Sequence, residues 1–346
     1  MIQYFTIWDV ELLNKIQTFK ENSIGITKVF FDGAIEYQYD YIAGQKKHMT
    51  DLIEFCKDRK IELNIITGTH PNNVLIENSE YCKIHYWYTF WLSMALHRLS
   101  VSPNYQINNS IGLDVMNFGV GKNLPIKYPF ISMNKAPKIH RAIMMDMLAK
   151  HNILDKGVVI WREWCNNYGF KHWQQEQLLR DQKDKFMYQE MLPIEYSISF
   201  AQLVPESDEQ IFTLSEKTSM ALYFNKPFLV AGCKGFHKIL QNMGFALYDE
   251  LFDYSFDEVE DITIRYDMIA QNFSRYANRS TNELKQIYAS VFEKCVYNKK
   301  MAFKLATSKS NMPAIVDELS EYLLQNNIPS GIQSINNFIQ THENEY

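Results

Sequence analysis

The stretch FTLSEKTSMALYFNKPFLVAGCKGF, Phe212 to Phe236, sets the fold class. Glu216, Lys217 and Thr218 head an apolar segment that reads as a helix. Pro227 ends it and leads into PFLVAG, a short apolar run that reads as a buried strand. Gly232 and Gly235 lie in the loop that follows. The next segment, FHKILQNM, reads as a second helix with Gly244 as its C-terminal stop. Helix, buried strand, glycine loop and helix in succession are the repeating unit of an α/β fold with a parallel sheet.

The same unit recurs outward from that stretch. ITKVFFDG (Ile26–Gly33) reads as a buried strand, and GQKKHMTDLIEFCKDRK (Gly44–Lys60) as an amphipathic helix with Met49, Leu52, Ile53 and Cys56 on one face. IELNIITGT (Ile61–Thr69) predicts another strand, and KIHYWYTFWLSMALHRL (Lys83–Leu99) a buried helix. After an aperiodic region from Val101 to Lys127 come the strand YPFISM (Tyr128–Met133) and the helix PKIHRAIMMDMLAKHNIL. Pro137 suits the first turn of that helix, and Ile139, Ile143, Met147 and Leu148 are its expected core face. GVVIW, EYSISFAQLV and ALYD (Ala246–Asp249) read as further strands. The C-terminal third reads as helical, with a stop at Asn311-Met312-Pro313 before two last helices.

A chain of 346 residues is longer than one compact core usually serves, so two α/β domains are expected, with parallel sheets facing each other. The boundaries drawn are 1–122, 123–312 and 313–346, the last holding the terminal helices and a polar tail. In such folds ligands sit at the carboxyl ends of strands.

Composition narrows the function. Apolar residues make up 46% and charged residues 22%, which is a folded globular balance and excludes disorder as the main state. Net charge is −5, so tight generic nucleic-acid binding is not favoured. The best basic cluster, Lys171, His172, Arg180, Lys183 and Lys185, alternates with acids. Five scattered cysteines without a CxxC suggest neither a zinc site nor a disulfide framework, and a reducing cytoplasm fits them. MIQYFTIWDVELL has no basic leader region or cleavage site, so no signal peptide is expected. YWYTFWLSMAL (Tyr86–Leu96) is too short to span a bilayer.

Two readings of the head of the Glu216 helix stand side by side. Thr213-Leu214-Ser215-Glu216 matches the capping box, in which Thr caps the helix and Glu reaches back to the cap. Alternatively, free N–H groups at a helix start, with Lys217 beside them, make a phosphate seat. Glu216, an acceptor when ionised, would then hold sugar hydroxyls, and Gly232 would let backbone approach the ligand. A second segment repeats the logic: Asn134 and Lys135 leave a strand, and Arg141 lies one turn into the following helix, where its planar fork suits a diphosphate. His140 reads as a partly buried partner rather than a catalyst.

Strand, Ser-x-Asn, a helix with an early Arg, two more strands, then [Ser/Thr]-Glu-Lys heading a helix and a Pro-led strand resemble the donor-binding half of the α1,3-fucosyltransferase-like GT-B glycosyltransferases. SEKTSMALYFNKPFLVAGCKGFHKILQNMGFALYDELFDYSFDEVED and FISMNKAPKIHR resemble glycosyltransferase-like proteins of bacteriophages more closely still. The likeness covers about Tyr128 to Arg265, and Ser215 stands where those proteins carry Thr, a mild change. It implies two Rossmann-like domains facing a cleft, GT-B-like, with a helical C-terminal extension. The donor would be a nucleotide-diphosphate sugar, with no cofactor and no metal. Donor-binding residues would be Asn134, Lys135, Arg141, Ser215, Glu216, Lys217, Thr218 and Gly232, with Arg141 and Lys217 stabilising the leaving diphosphate.

The acceptor would be a hydroxyl of a glycan, or of a modified DNA base in a phage protein acting in the host cytoplasm. An inverting transfer needs a base from the N-terminal half. Asp32, Glu36 and His70 stand at strand ends there, although Asp32 equally suits a turn cap and His70 a loop position. The rival expectation is a non-catalytic binding or virion-associated protein on the same scaffold. No G-x-G-x-x-G follows the first strand, which disfavours a nucleotide-sugar epimerase or dehydrogenase.

Overall fold

The computed structural model describes residues 1–6, 11–33, 45–68, 78–101, 126–134, 138–160, 194–328 and 330–343. Over these the chain is α/β, with two four-stranded sheets whose strand pairs are all parallel among the described residues. It divides into two compact units: 1–94 with 211–214 and 305–346, and 95–210 with 215–304. The C-terminal helices, placed in a segment of their own by sequence, thus belong to the N-terminal unit.

The first unit holds β1 (Ile2–Thr6), β2 (Lys28–Gly33), β3 (Glu62–Thr67) and β4 (Cys82–Tyr86) in sequential order. Helices α1 (Leu12–Glu21) and α2 (Gln45–Asp58) make the first two crossovers. Right-handed crossovers that always step in one direction put their helices on one face of the sheet. Side chains alternate accordingly. Val29, Phe31, Leu63 and Ile65 join Leu12, Ile16, Phe19, Leu52 and Cys56 in one core, the face expected for α2. Phe30 and Ile66, of opposite parity, are equally buried, so the second face is covered as well. Of the terminal helices α10 (Ile315–Gln325) and α11 (Gly331–His342), the first reaches this sheet: Tyr322 donates to the Ile2 carbonyl at 3.2 Å, and Lys28 pairs with Glu318 at 2.7 Å.

Two expectations for this unit need correction. Residues 83–86 form β4, not the start of a helix, and α3 spans only Phe90–Val101. Cys82 and Ile84 are buried while Lys83 is exposed, so the period is two there; the long apolar run after it masked that alternation. Strand β1 and helix α1 add elements that the sequence reading did not draw.

The second unit orders its strands β6-β5-β7-β8: β5 (Tyr128–Met133), β6 (Val158–Ile160), β7 (Ser199–Pro205) and β8 (Phe228–Ala231). Helix α4 (Ile139–Lys150) links β5 to β6, and the short α5 (Ile194–Ser197) precedes β7. Helix α6 (Glu216–Tyr223) links β7 to β8, and α7 (Phe236–Asn242), α8 (Ile262–Ser274) and the long α9 (Thr281–Thr307) follow. Gly157, just before β6, is required by space: a Cβ there would sit 2.3 Å from the Phe130 ring of β5.

Two further corrections arise here. The segment ALYD joins neither sheet, because the Asn298 side chain takes both backbone groups of Ala246, each at 2.8 Å. That side-chain amide replaces a neighbouring strand. In α4 the buried set is His140, Arg141, Ala142, Met144, Met145 and Leu148; of the expected face only Leu148 is buried, and Ile139 is 63% exposed. The helix is apolar nearly all round, so periodicity did not define its inner side. Polar bonds of His140 and Arg141 turn that side of its first turn inward.

Candidate functional site

In the second unit the chain leaves β5 toward β6 on one side, while β7 and β8 build on the other. The carboxyl ends of β5 and β7 therefore flank a topological switch point, the place where open α/β sheets bind ligands. Asn134 follows β5, Glu206 follows β7 and Gly232 follows β8. The helices α4 and α6 both begin at this end.

Glu206 organises the site. Its side chain is fully buried, and its carboxylate accepts from the Ser207 N–H (3.0 Å), the Ser215 N–H (3.3 Å) and the Thr218 hydroxyl (2.5 Å). Its carbonyl accepts from Arg141 Nε (3.2 Å), a terminal Arg141 nitrogen (3.0 Å) and His140 Nε2 (3.0 Å). The start of α4 and the start of α6 are thus tied to one residue at the end of β7.

The capping box is not where the sequence placed it. The N-cap of α6 is Ser215, whose hydroxyl accepts from the Lys217 N–H at 3.3 Å, and the Thr213 hydroxyl has no hydrogen-bond partner among the described residues. The reciprocal half of the motif, a carboxylate on the cap N–H, comes from Glu206 in another segment. That frees Glu216, which pairs instead with Lys217 Nζ at 3.0 Å. Burial pushes the Glu216 carboxyl up, but Lys217, the helix backbone and Arg141 outweigh it and hold the group below its usual value.

Positive charge gathers around this point. Lys138 donates to the Ser207 carbonyl, and burial followed by the neighbouring charges of Arg141 and Lys217 holds its ammonium below its ordinary value. Arg98 of α3 is lowered by burial, with Glu216 opposing. His140 Nδ1 lies 2.8 Å from Glu209, whose carboxyl is drawn down to about 2, chiefly by that hydrogen bond. Arg141 and Lys217 are each 2% exposed, whereas the side chains of Glu216 and Glu209 are 30% and 32% exposed. The buried cations can neutralise an anion, and the partly open carboxylates can accept from hydroxyls.

Asn134 is buried, donates to Ser132 Oγ at 3.2 Å, and among the described residues leaves its Oδ1 without a hydrogen-bond partner. Gly232 sits in a tight place: a Cβ would lie 3.1 Å from Phe236, 3.3 Å from Val230 and 3.6 Å from Glu206. Its carbonyl accepts from Arg265 at 3.3 Å. The following helix start, at Gly235 with φ +74°, is already served by Asp257, which accepts from the His237 and Lys238 N–H groups. The loop after β8 therefore has its own internal anion.

Asp32 is the last residue but one of β2 in the first unit. It is 3% exposed and accepts from the Tyr4 hydroxyl at 3.0 Å. Burial and the Asp32 charge together push the Tyr4 phenol well up. Lys135, Glu36, His70 and the basic cluster from Lys171 to Lys185 lie outside the described residues. The structure gathers Arg141 and Ser215–Thr218, named from sequence, with Glu206, Glu209 and Lys138, which the sequence reading did not name. An acidic run directly after an apolar strand was the available signal.

Among the described residues no group of three His, Cys, Asp or Glu is placed to hold a metal, and no helix is long and apolar enough to cross a membrane. The chain matches no family model, no curated protein sequence and no solved structure.

Proposed function

We propose that the chain is a GT-B-type glycosyltransferase that moves a sugar from a nucleotide-diphosphate donor to a hydroxyl of a glycan or of a hydroxylated DNA base. The observation that carries this reading is the convergence of Arg141 and the Ser215–Thr218 helix start on Glu206 at a strand switch point. In the transfer the leaving diphosphate gains negative charge, and preorganised cations lower the barrier because they need no rearrangement when that charge develops. Arg141 and Lys217 take that role, with Lys138 adding to the positive field. Asn134 and Glu216 hold polar groups of the donor, and Asp32 or His70 accepts the acceptor's proton.

A second reading, a non-catalytic binding protein on the same scaffold, draws on the burial of Arg141 and Lys217 and on their internal bonds. One experiment separates the two. Thermal shift is measured with UDP, GDP, CDP, ADP and their sugars, with and without EDTA, on wild type and Lys217→Ala. A ligand at a hundredfold its Kd stabilises by about 2.7 kcal/mol. The transferase reading expects one nucleotide to shift the wild type, the variant to lose that shift, and EDTA to leave it unchanged. No shift with any of them favours the binding scaffold.

A further inference from the structure

The two readings of the α6 start, a cap and a phosphate seat, meet at Glu206. A helix start attracts an anion because its first N–H groups lack partners within the helix and carry the positive end of its dipole. At α6 the Ser215 and Lys217 N–H groups already have acceptors inside the chain. Glu206 Oε1 takes the Ser215 N–H at 3.3 Å and the Thr218 hydroxyl at 2.5 Å, and the Ser215 hydroxyl takes the Lys217 N–H at 3.3 Å. The other carboxylate oxygen takes the Ser207 N–H at 3.0 Å, which fixes the group from the strand side.

The place is also closed to solvent. Glu206, Ser215 and Thr218 are each 0% exposed. A phosphate reaches the Ser215 N–H only by displacing the carboxylate, because like charges repel and one N–H serves one close acceptor. Displacement would leave a buried carboxylate without its donors, the costly case for a buried polar group. Glu206 comes from the end of β7, so the sheet itself delivers it to the helix start.

We infer that Glu206 is the resident anion of the α6 start: its carboxylate holds the position a phosphate takes at an open helix start, so a phosphorylated ligand meets this site through side chains and not through the α6 backbone. Glu206 is thus a positioning residue. It neutralises the helix end, and the attraction left for a ligand is that of the Lys138, Arg141 and Lys217 side chains. The part that concerns a ligand rests on the donor-site reading above; the occupied helix start does not.

Two measurements test this. The first is anion rescue: thermal melts of wild type, Glu206→Ala and Glu206→Gln in rising acetate, with chloride at equal ionic strength as the reference. Acetate has the atoms that the alanine change removes. The melting temperature of Glu206→Ala is expected to rise with acetate along a saturating curve, while wild type and Glu206→Gln, in which the place is filled, follow chloride. A Glu206→Ala that gains no more from acetate than from chloride, or an equal gain in all three proteins, overturns the inference. Glu206→Ser serves in place of the alanine variant if that variant does not fold. The second measurement uses wild type, crystallised with whichever of UDP, GDP, CDP and ADP raises its melting temperature. Glu206 is expected to remain on the Ser215 N–H, with the phosphates on side-chain cations. A phosphate oxygen hydrogen-bonded to the Ser215, Glu216 or Lys217 N–H overturns the inference. If no nucleotide binds, the donor-site reading falls alone, and acetate rescue still decides what occupies the α6 start.

Discussion

Thr218→Val tests whether Glu206 joins the two halves of the site. Thr218 is fully buried at the third position of α6, and its hydroxyl lies 2.5 Å from Glu206 Oε1. The same oxygen takes the Ser215 N–H at the longer distance of 3.3 Å, so the hydroxyl is its closer partner. A hydrogen bond to a charged group contributes about 1.5–3 kcal/mol net, and valine replaces the hydroxyl with a methyl of similar size. The expected loss is therefore about 1.5–3 kcal/mol, or roughly 3–12 °C in the transition of a unit of this size. Thr218→Ser keeps the bond and removes one methyl, which costs about 0.8 kcal/mol in burial. Urea denaturation at unchanged m-value reads both. Glu206→Gln combined with Thr218→Val gives the coupling, expected well above the roughly 0.3–0.5 kcal/mol within which independent sites add. If valine is tolerated better than serine, or the cycle is additive, the carboxylate does not hold the helix start and the account of the site is wrong.

Two further predictions concern the second unit. Gly157→Ala would drive a methyl to within 2.3 Å of the Phe130 ring, so a loss of about 3 kcal/mol in denaturant is expected. Phe130→Leu in the same chain should recover part of that loss, and simple additivity of the two changes would argue against the clash. Lys226 is buried, donates to the Ser199 carbonyl at 2.5 Å, and burial pushes its ammonium down to about 7 from an ordinary 10.5. Between those values the unfolded chain binds a proton that the folded chain does not, so this group makes stability rise from pH 7 to 10.5. Thermal melts across that window should show wild type gaining on Lys226→Met as pH rises, and a constant gap would contradict the lowered value.

Elements bounded by hard punctuation were legible. The strand at Tyr128–Met133 is an uninterrupted apolar run, and β8 is opened by Pro227 and closed by Gly232, so composition alone located both. Where an apolar stretch carried on past a boundary, the reading failed. Residues 83–86 alternate as a strand but run into the apolar helix after them, and both look hydrophobic in one window. ALYD has strand composition, yet pairing depends on Asn298, which lies about fifty residues away in the chain.

The site divides along the same line. Local chemistry was enough to mark Arg141 near the head of one helix and Ser215 to Thr218 at the head of another, because caps and helix starts are written within a few neighbouring residues. It was not enough to choose between Thr213 and Ser215 as the cap, since the choice depends on which N–H the Glu206 carboxylate reaches across space. What the sequence by itself determined is the α/β class and the polar helix starts, both set by short-range periodicity and turn chemistry. Only the tertiary structure decided that β5 and β7 are neighbours, that Glu206 joins the helices that follow β5 and β7, and that His140 lies against Glu209. The contacts of His140 and Arg141 with Glu206 link residues about 65 positions apart, and their strength comes from burial that no local window contains.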